Sequence, residues 1–280
     1  MTKLAYTFKT DTLFKMLFVQ HPGLLKHLVS QLLGIKLESI GQFEITNPEM
    51  PPDALGDKFC RLDINMTVDG QRVDLEIQVR DEGSFPERVL FNWAREYSTA
   101  LPEGGQYINL PRAIVISIID FNLFDCGEYH SEFQPLEVTR HTLLTDKMSL
   151  HFFELQKLPP EINVDNKLLL WLSLFKADTE AELEKIEALE EPVMKEAINA
   201  YHRITAASEF RELERLRSKA RHDEAQALYH AEQRGMQQER EKWQTAIADK
   251  DARLADKDAE NEQLRKQIAK LQTQKGKAPE

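Results

Sequence analysis

The residues of this sequence whose types and spacing could do chemistry lie in a predicted β-hairpin over residues 60–79, CRLDINMTVDGQRVDLEIQV. Asp69-Gly70 stands between two runs that alternate apolar and polar residues, and this arrangement predicts a two-residue type I′ turn. Such a turn sets the strand register. Asp63 should therefore face Glu76 across the hairpin, in a pair whose Cα atoms lie about 4.5 Å apart.

Two carboxylates that face each other in this way repel, so something must offset their charge. One of them is protonated, or both point into solvent, or a cation lies between them. Two carboxylates with a main-chain carbonyl and waters suit a hard divalent cation such as Mg²⁺. The simpler interpretation is a solvated strand face on which the acids alternate with Arg61 and Arg72. In the same register Asn65 should face Asp74.

The segments around the hairpin predict a mixed α/β domain. A continuous β-branched run at 111–120, PRAIVISIID, is typical of a strand that is buried on both faces. The other predicted elements are a helix over 11–33 interrupted at Pro22-Gly23, a strand over 36–45, a helix over 86–100, and strands over 129–139 and 148–156.

Composition limits the possible classes of function. The 280 residues include 36 basic and 47 acidic ones, which gives a net charge of −11 and argues against a protein that coats nucleic acid through bulk positive charge. An enzyme that holds nucleic acid in a small local groove stays possible. No apolar run approaches the ~18 residues of a membrane span. With two cysteines and no export signal, we expect a cytoplasmic protein without a membrane or a disulfide framework.

Pro159-Pro160 is the expected boundary between a domain over 1–160 and an all-α region over 161–280. Beyond it, glycine and proline are rare and helices are predicted over 161–176, 179–200 and 203–272. A coiled coil is expected at about 240–272, which would support a homodimer. Its repeat consists of Ile247, Leu254, Asn261 and Ile268, with Leu264 and Leu271 on the companion seam. Lys250 and Lys257 weaken that seam, and the alternative is one charged, fraying helix.

Four segments resemble a known family: TDTLFKMLF, RLDINMTVDGQRVDLEIQVR, RVLFNWAREYSTAL and AIVISIIDFNLF. They are similar to the bacterial recombination-promoting nucleases, the transposase-like branch of the PD-(D/E)XK nuclease superfamily, over about residues 6–160. The resemblance implies a restriction-endonuclease-like core, which is a mixed β-sheet flanked by helices. It also implies an endonuclease that acts on DNA.

The resemblance assigns roles to individual residues. Asp63 matches the first acid of the motif and Glu76 the second, while Gln78 stands where most of the superfamily has lysine. Asp11 matches a further acidic position. Metal-assisted phosphodiester hydrolysis is therefore expected, with Mg²⁺ (or Mn²⁺ or Ca²⁺) held by Asp63, Glu76 and the Ile77 carbonyl, and with Asp11 reaching a second ion.

The remaining roles are more open. Gln78 would orient the attacking water through its amide, since it carries no charge. Lys15 and Arg95 would hold flanking phosphates, although Lys15 could equally form an i,i+4 ion pair with Asp11. Leu62 replaces the proline of the motif. The competing function is a catalytically weak or degenerate nuclease fold that serves as a DNA-binding or oligomeric scaffold.

Overall fold

The computed structural model describes residues 2–47, 63–81, 83–101 and 104–275. In these ranges the helices and strands follow in this order: α1 (Asp11–Gln20), α2 (Pro22–Leu32), β1 (Phe43–Ile45), β2 (Ile64–Val68), β3 (Gln71–Gln78), α3 (Phe85–Ser98), β4 (Ala113–Ile119), β5 (His130–Phe133), β6 (Met148–Glu154), α4 (Lys167–Lys176), α5 (Glu180–Glu187), α6 (Pro192–Ala206) and α7 (Ser208–Lys275). The part of the predicted hairpin before Asp63 lies outside the described residues.

The strands form one mixed sheet in the order β1-β2-β3-β4-β6-β5. β2 pairs antiparallel with both of its neighbours, β1 and β3. The strands β3, β4 and β6 run parallel to one another, and the edge strand β5 is antiparallel to β6. Helices cover both faces of this sheet. The predicted fold, a mixed sheet between helices followed by a helical region, is confirmed.

The hairpin has the predicted turn and register. Val68 pairs with Gln71 and Asn65 with Asp74. Asp69 and Gly70 have φ angles of 48° and 78°, the two positive values that a type I′ turn requires. β4 is buried along its whole length, as its β-branched run predicts.

Local chemistry explains where the elements depart from expectation. The predicted strand over 36–45 begins only at Phe43, because Leu37–Ser39 form a 3₁₀ turn. β5 ends before Pro135, which has no N–H to continue the ladder. The helix predicted over 179–200 is divided into α5 and α6. The division lies at Pro192, which can begin a helix but not continue one.

Two apolar cores lie on opposite faces of the sheet. The larger packs α1, α2, α4, α5 and α6 against one face, and Trp171, Phe175 and Ile198 are among its buried residues. The smaller packs α3 on the other face through Phe85 and Val89. α3 therefore covers the sheet face that carries the polar side chains of β3.

The compact unit extends past the predicted boundary at Pro159-Pro160. α4 to α6 and the first turns of α7 contribute to the larger core, and the chain divides between Arg217 and Ser218. The physical reason is that the face of the sheet opposite α3 needs these helices to cover its apolar residues. The second unit consists of the remainder of α7. No helix in the described ranges is both long and apolar enough to cross a membrane.

Candidate functional site

The polar face of β3 is buried. Glu76 is 2% exposed and Asp74 is 7% exposed, because α3 lies over this face. The interpretation of a solvated strand face is therefore wrong for these two acids. Charged side chains are rarely buried without partners, so their surroundings decide what they can do.

Glu76 is held at the centre of the sheet. Ser117, its register partner on β4, donates a hydrogen bond of 2.7 Å from Oγ to Glu76 Oε1. Arg88 Nη2 on α3 lies 4.0 Å from Glu76 Oε2. Two elements distant in sequence thus orient this carboxylate.

Asp63 lies directly before β2, where side chains from outside the hairpin hold its main chain. Its carbonyl accepts hydrogen bonds from Asn47 Nδ2 at 3.0 Å and from Lys15 Nζ at 3.3 Å. Asn47 Oδ1 also accepts from the Asn65 amide at 2.8 Å. Lys15 is 3% exposed, which places it in the support of Asp63 and not on a surface that a flanking phosphate could reach.

Negative charge accumulates around Asp74. Burial, followed by the charges of Asp63, Glu76 and Glu96, raises the pKa of the Asp74 carboxyl well above its usual range, and Arg95 opposes this shift. Its Oδ1 finds no hydrogen-bond partner among the described residues. Asp63 and Glu76, which sequence reasoning brought together, therefore share one electrostatic environment with Asp74, which it did not assign to the site.

This donor set fits a divalent cation. Carboxylates that repel one another and an orphaned carboxylate oxygen are among the oxygen ligands that Mg²⁺ and Ca²⁺ take. No three His, Cys, Asp or Glu side chains in the described ranges are arranged to hold a metal ion together. Water or substrate oxygens would therefore have to complete the coordination sphere.

Gln78 is tied to a cation from another element. Arg88 Nη2 donates to Gln78 Oε1 at 3.0 Å, and Gln78 Nε2 donates to the Arg80 carbonyl at 2.8 Å. The Arg88 guanidinium also lies 4.7 Å from the centre of the Phe85 ring. Sequence reasoning missed Arg88, although it lies within the segment RVLFNWAREYSTAL that carries the resemblance.

A cleft of about 220 Å³ adjoins the acids. It lies between the sheet and α3, and Asn65, Asp74, Trp93 and Glu96 are among the residues that line it. Arg72 also lines this cleft, where its Nη1 donates to the Glu96 carbonyl and to Thr99 Oγ1. The cleft thus has polar and aromatic groups side by side.

Two other predicted site residues lie near helix ends. Asp11, the first residue of α1, has a side chain that is 42% exposed and forms an ion pair of 3.5 Å with Arg217. Arg95 is exposed on α3 and close enough to Asp74 to affect its pKa. The structure thus groups Asp63, Glu76, Gln78 and Arg95 around β3, whereas Asp11 is engaged by the start of α7.

Comparison with known proteins agrees with this geometry. Residues 8–231 match the family model described as PD-(D/E)XK nuclease family transposase, so the match includes α4 to α6 as well as the sheet. No curated protein and no solved structure matches the chain. Nucleases of this superfamily typically use divalent metals, and DNA is the substrate that the family implies. With four-fifths of its length matched, the chain belongs to the PD-(D/E)XK nuclease family of transposases.

Proposed function

We propose that this protein is a divalent-metal-dependent DNA endonuclease that hydrolyses phosphodiester bonds in DNA recombination or mobile-element movement. The observation that carries the proposal is the buried group of acids on the face of β3, where Asp74 lies within the electrostatic reach of both Asp63 and Glu76. Burying repelling carboxylates is costly unless a proton or a bound cation offsets their charge.

Asp63, Glu76 and the Ile77 carbonyl would hold the ion, and Mg²⁺ is the first candidate, with Mn²⁺ or Ca²⁺ as alternatives. When bound, such an ion polarises a phosphoryl group and lowers the pKa of a water molecule. Asn47 and Lys15 position Asp63 through its carbonyl, and Ser117 positions Glu76. Asp11 stays the candidate for a second ion.

Gln78 and two arginines complete the proposed chemistry. The Gln78 amide nitrogen carries two hydrogens, and one is used on the Arg80 carbonyl, so the other can orient a water or a phosphate oxygen. Arg88 supplies a positive charge beside Glu76 and Gln78, where the superfamily has lysine on the strand itself. Arg95, being exposed, would contact a flanking phosphate.

A second candidate function is a DNA-binding or oligomeric scaffold on a catalytically weak fold. The observation in its favour is that Glu76 and Gln78 already have protein partners and that no three-residue metal group occurs in the described ranges. We also propose that two copies of the chain associate through α7.

A cleavage assay separates the two functions. Supercoiled and linear DNA are incubated with the full chain and Mg²⁺, Mn²⁺ or Ca²⁺, beside the variants Asp63→Asn and Glu76→Gln. Loss of one metal-binding carboxylate should lower the cleavage rate at least about 100-fold. Glu44→Gln on the neighbouring strand β1 is the matched control, because Glu44 is exposed, and it should leave the rate unchanged.

The outcomes against the endonuclease are specific. Unchanged cleavage by purified Asp63→Asn or Glu76→Gln protein, or unchanged cleavage in EDTA, would show that other residues cut the DNA. Absence of cleavage with every ion, combined with retained binding of labelled DNA, would support the scaffold function instead.

A further inference from the structure

The second unit of the chain exposes an apolar stripe that polar residues interrupt. From Ser218 onwards the large apolar side chains of α7 lie in water, with exposures from 47% for Leu264 to 65% for Trp243. From Trp243 to Ile268 they fall on two columns of a seven-residue repeat. One column, a, contains Ile247, Leu254, Asn261 and Ile268, and the other, d, contains Trp243, Lys250, Lys257 and Leu264. Before Trp243 the polar residues Gln233 and Arg240 stand in column a, so the repeat begins at Trp243. Such a stripe is the seam of a coiled coil.

We infer that α7 pairs with α7 of a second copy of this chain in a parallel, in-register, two-stranded coiled coil over about residues 243–268. This inference does not depend on the nuclease function. The first argument is Asn261, which is the polar residue of column a within the repeat. A parallel pair in register puts the two Asn261 amides side by side, where they can hydrogen-bond to each other. In an antiparallel pair an a residue faces a d residue, so Asn261 would face Trp243, Leu264 or a lysine and lose that partner.

Charges beside the seam favour the same arrangement. In a parallel pair each g residue faces the e residue five positions later in the other helix. Arg253 then faces Asp258 of the second copy, and Glu260 faces its Arg265. A shift by one heptad would set Arg253 against Arg265 in one direction, or Glu260 against Asp258 in the other. Only the unshifted pair brings opposite charges together at both places.

These four charged side chains are available to a partner. Within the described part of α7 none of them forms an ion pair, whereas Glu262 and Lys266 on the outer face pair at 2.8 Å along the same helix. Glu262 and Lys266 are thus paired within their own helix, whereas the four charges beside the apolar stripe are not.

Lys250 and Lys257 reduce the apolar content of the seam. In a parallel pair a d residue lies beside the e residue of the other helix, so each lysine lies next to Asp251 or Asp258 of the second copy. The aliphatic stems can cover the seam while the ammonium groups reach these carboxylates. Two lysine layers still lower the stability of the pair, so association should depend on protein concentration.

A charge-swap experiment on the full chain tests the arrangement. Arg253→Asp and Asp258→Arg each create a like-charge contact that occurs twice in the homodimer, and each should weaken self-association at least about tenfold in sedimentation equilibrium. An equimolar mixture of the two variants should associate as tightly as the wild type, because both contacts between unlike chains become attractive. The double variant R253D/D258R should also regain association. Glu262→Lys on the outer face is the matched control and should have no effect.

Circular dichroism of each variant is the control for helix content. If α7 keeps its helix, a loss of association is due to weaker pairing and not to unfolding. Wild-type protein that stays monomeric at ~100 µM would overturn the inference, because this concentration is well above a low-micromolar dissociation constant. The stripe would then bind a different protein. A dimer whose variants do not complement each other in the mixture would overturn the parallel, in-register pairing.

Discussion

At the scale of single residues, a cation reaches the acids from a different element than the superfamily pattern indicates. Gln78 stands at the lysine position, and Arg88 of α3 lies 3.0 Å from Gln78 Oε1 and 4.0 Å from Glu76 Oε2. A lysine at 78 would add an ammonium group next to this guanidinium and be repelled. A glutamine at position 78 is therefore consistent with a site whose positive charge is supplied by Arg88 on α3.

Replacing Arg88 tests this role. We expect Arg88→Gln to lower the DNA cleavage rate by roughly 10- to 100-fold, because the positive charge beside Glu76 and Gln78 is lost. Arg88→Lys should regain part of the rate, since it keeps the charge but not the planar fork. Rates are measured on supercoiled DNA, with Arg80→Gln as control because the Arg80 side chain is exposed. Equal rates for Arg88→Gln and the wild type would remove Arg88 from the site.

A second group of polar side chains connects β5 and β6. Ser149 Oγ donates to Glu132 Oε1 at 2.8 Å and lies 2.9 Å from His151 Nε2. Because the serine hydrogen is used on the carboxylate, His151 Nε2–H must donate to Ser149. His151 Nδ1 is then bare and accepts from His130 Nε2 at 3.1 Å. Protonation of His151 Nδ1 would place two N–H groups against each other and so break the hydrogen bond with His130 Nε2.

This network predicts a loss of stability in acid. Burial, with the nearby His130 and Arg112, lowers the pKa of His151 to about 4. The unfolded chain binds this proton near pH 6.5, so the stabilising effect of neutral His151 is full above that pH and is lost as the pH falls towards 4. The loss amounts to about 3 kcal/mol at most.

Urea denaturation at pH 7 and pH 5 measures the effect. His151→Gln should show a smaller drop in unfolding free energy between the two pH values than the wild type does. His202→Gln, at an exposed histidine of α6, should behave like the wild type. An equal pH dependence for His151→Gln and the wild type would show that another group is responsible.

At the scale of elements, the hairpin turn links the site strands to the edge of the sheet. Asp69 Oδ1 accepts hydrogen bonds from the Gly41 and Gln42 amides at 2.9 and 2.7 Å, and so ties the turn to the segment before β1. Gly70 has φ of 78°, a conformation that side-chain-bearing residues rarely adopt. The position of Asp63 relative to Glu76 depends on this turn, because it sets their register.

Two glycine substitutions distinguish turn strain from a general effect of alanine. Gly70→Ala should lower the free energy of unfolding by about 1–2 kcal/mol, since the Cβ disfavours the left-handed conformation. Gly23→Ala, in the first turn of α2 with open space around its Cα, should raise it by up to about 1 kcal/mol. Denaturation midpoints measure both changes. A harmless Gly70→Ala would contradict the type I′ assignment.

At the scale of the whole molecule, the nuclease fold needs helices from both sides of Pro159-Pro160. Trp171 of α4 and Ile198 of α6 are fully buried in the same core as Phe14 and Leu75. We expect a chain ending at Ala220 to keep a cooperative thermal transition by circular dichroism. A chain ending at Pro160 should show none, because the sheet would expose the face that these helices cover. A cooperative transition in the shorter chain would restore the boundary at 160.

The sequence by itself determined the features that depend on neighbours along the chain. The turn at Asp69-Gly70, the hairpin register, the buried strand β4 and the motif that relates the chain to its family all follow from local spacing, as does the break at Pro22. Periodicity and proline or glycine positions act over a few residues, so they can be recognised without the fold.

Only the tertiary structure decided which face of the hairpin is covered and by what. The burial of Glu76 depends on α3, and the orientation of its carboxylate depends on Ser117 of β4. The positive charge next to Gln78 comes from Arg88. These contacts join residues ten or forty-one positions apart in the chain. No period in the sequence encodes them, because they arise when separate elements pack around a shared core.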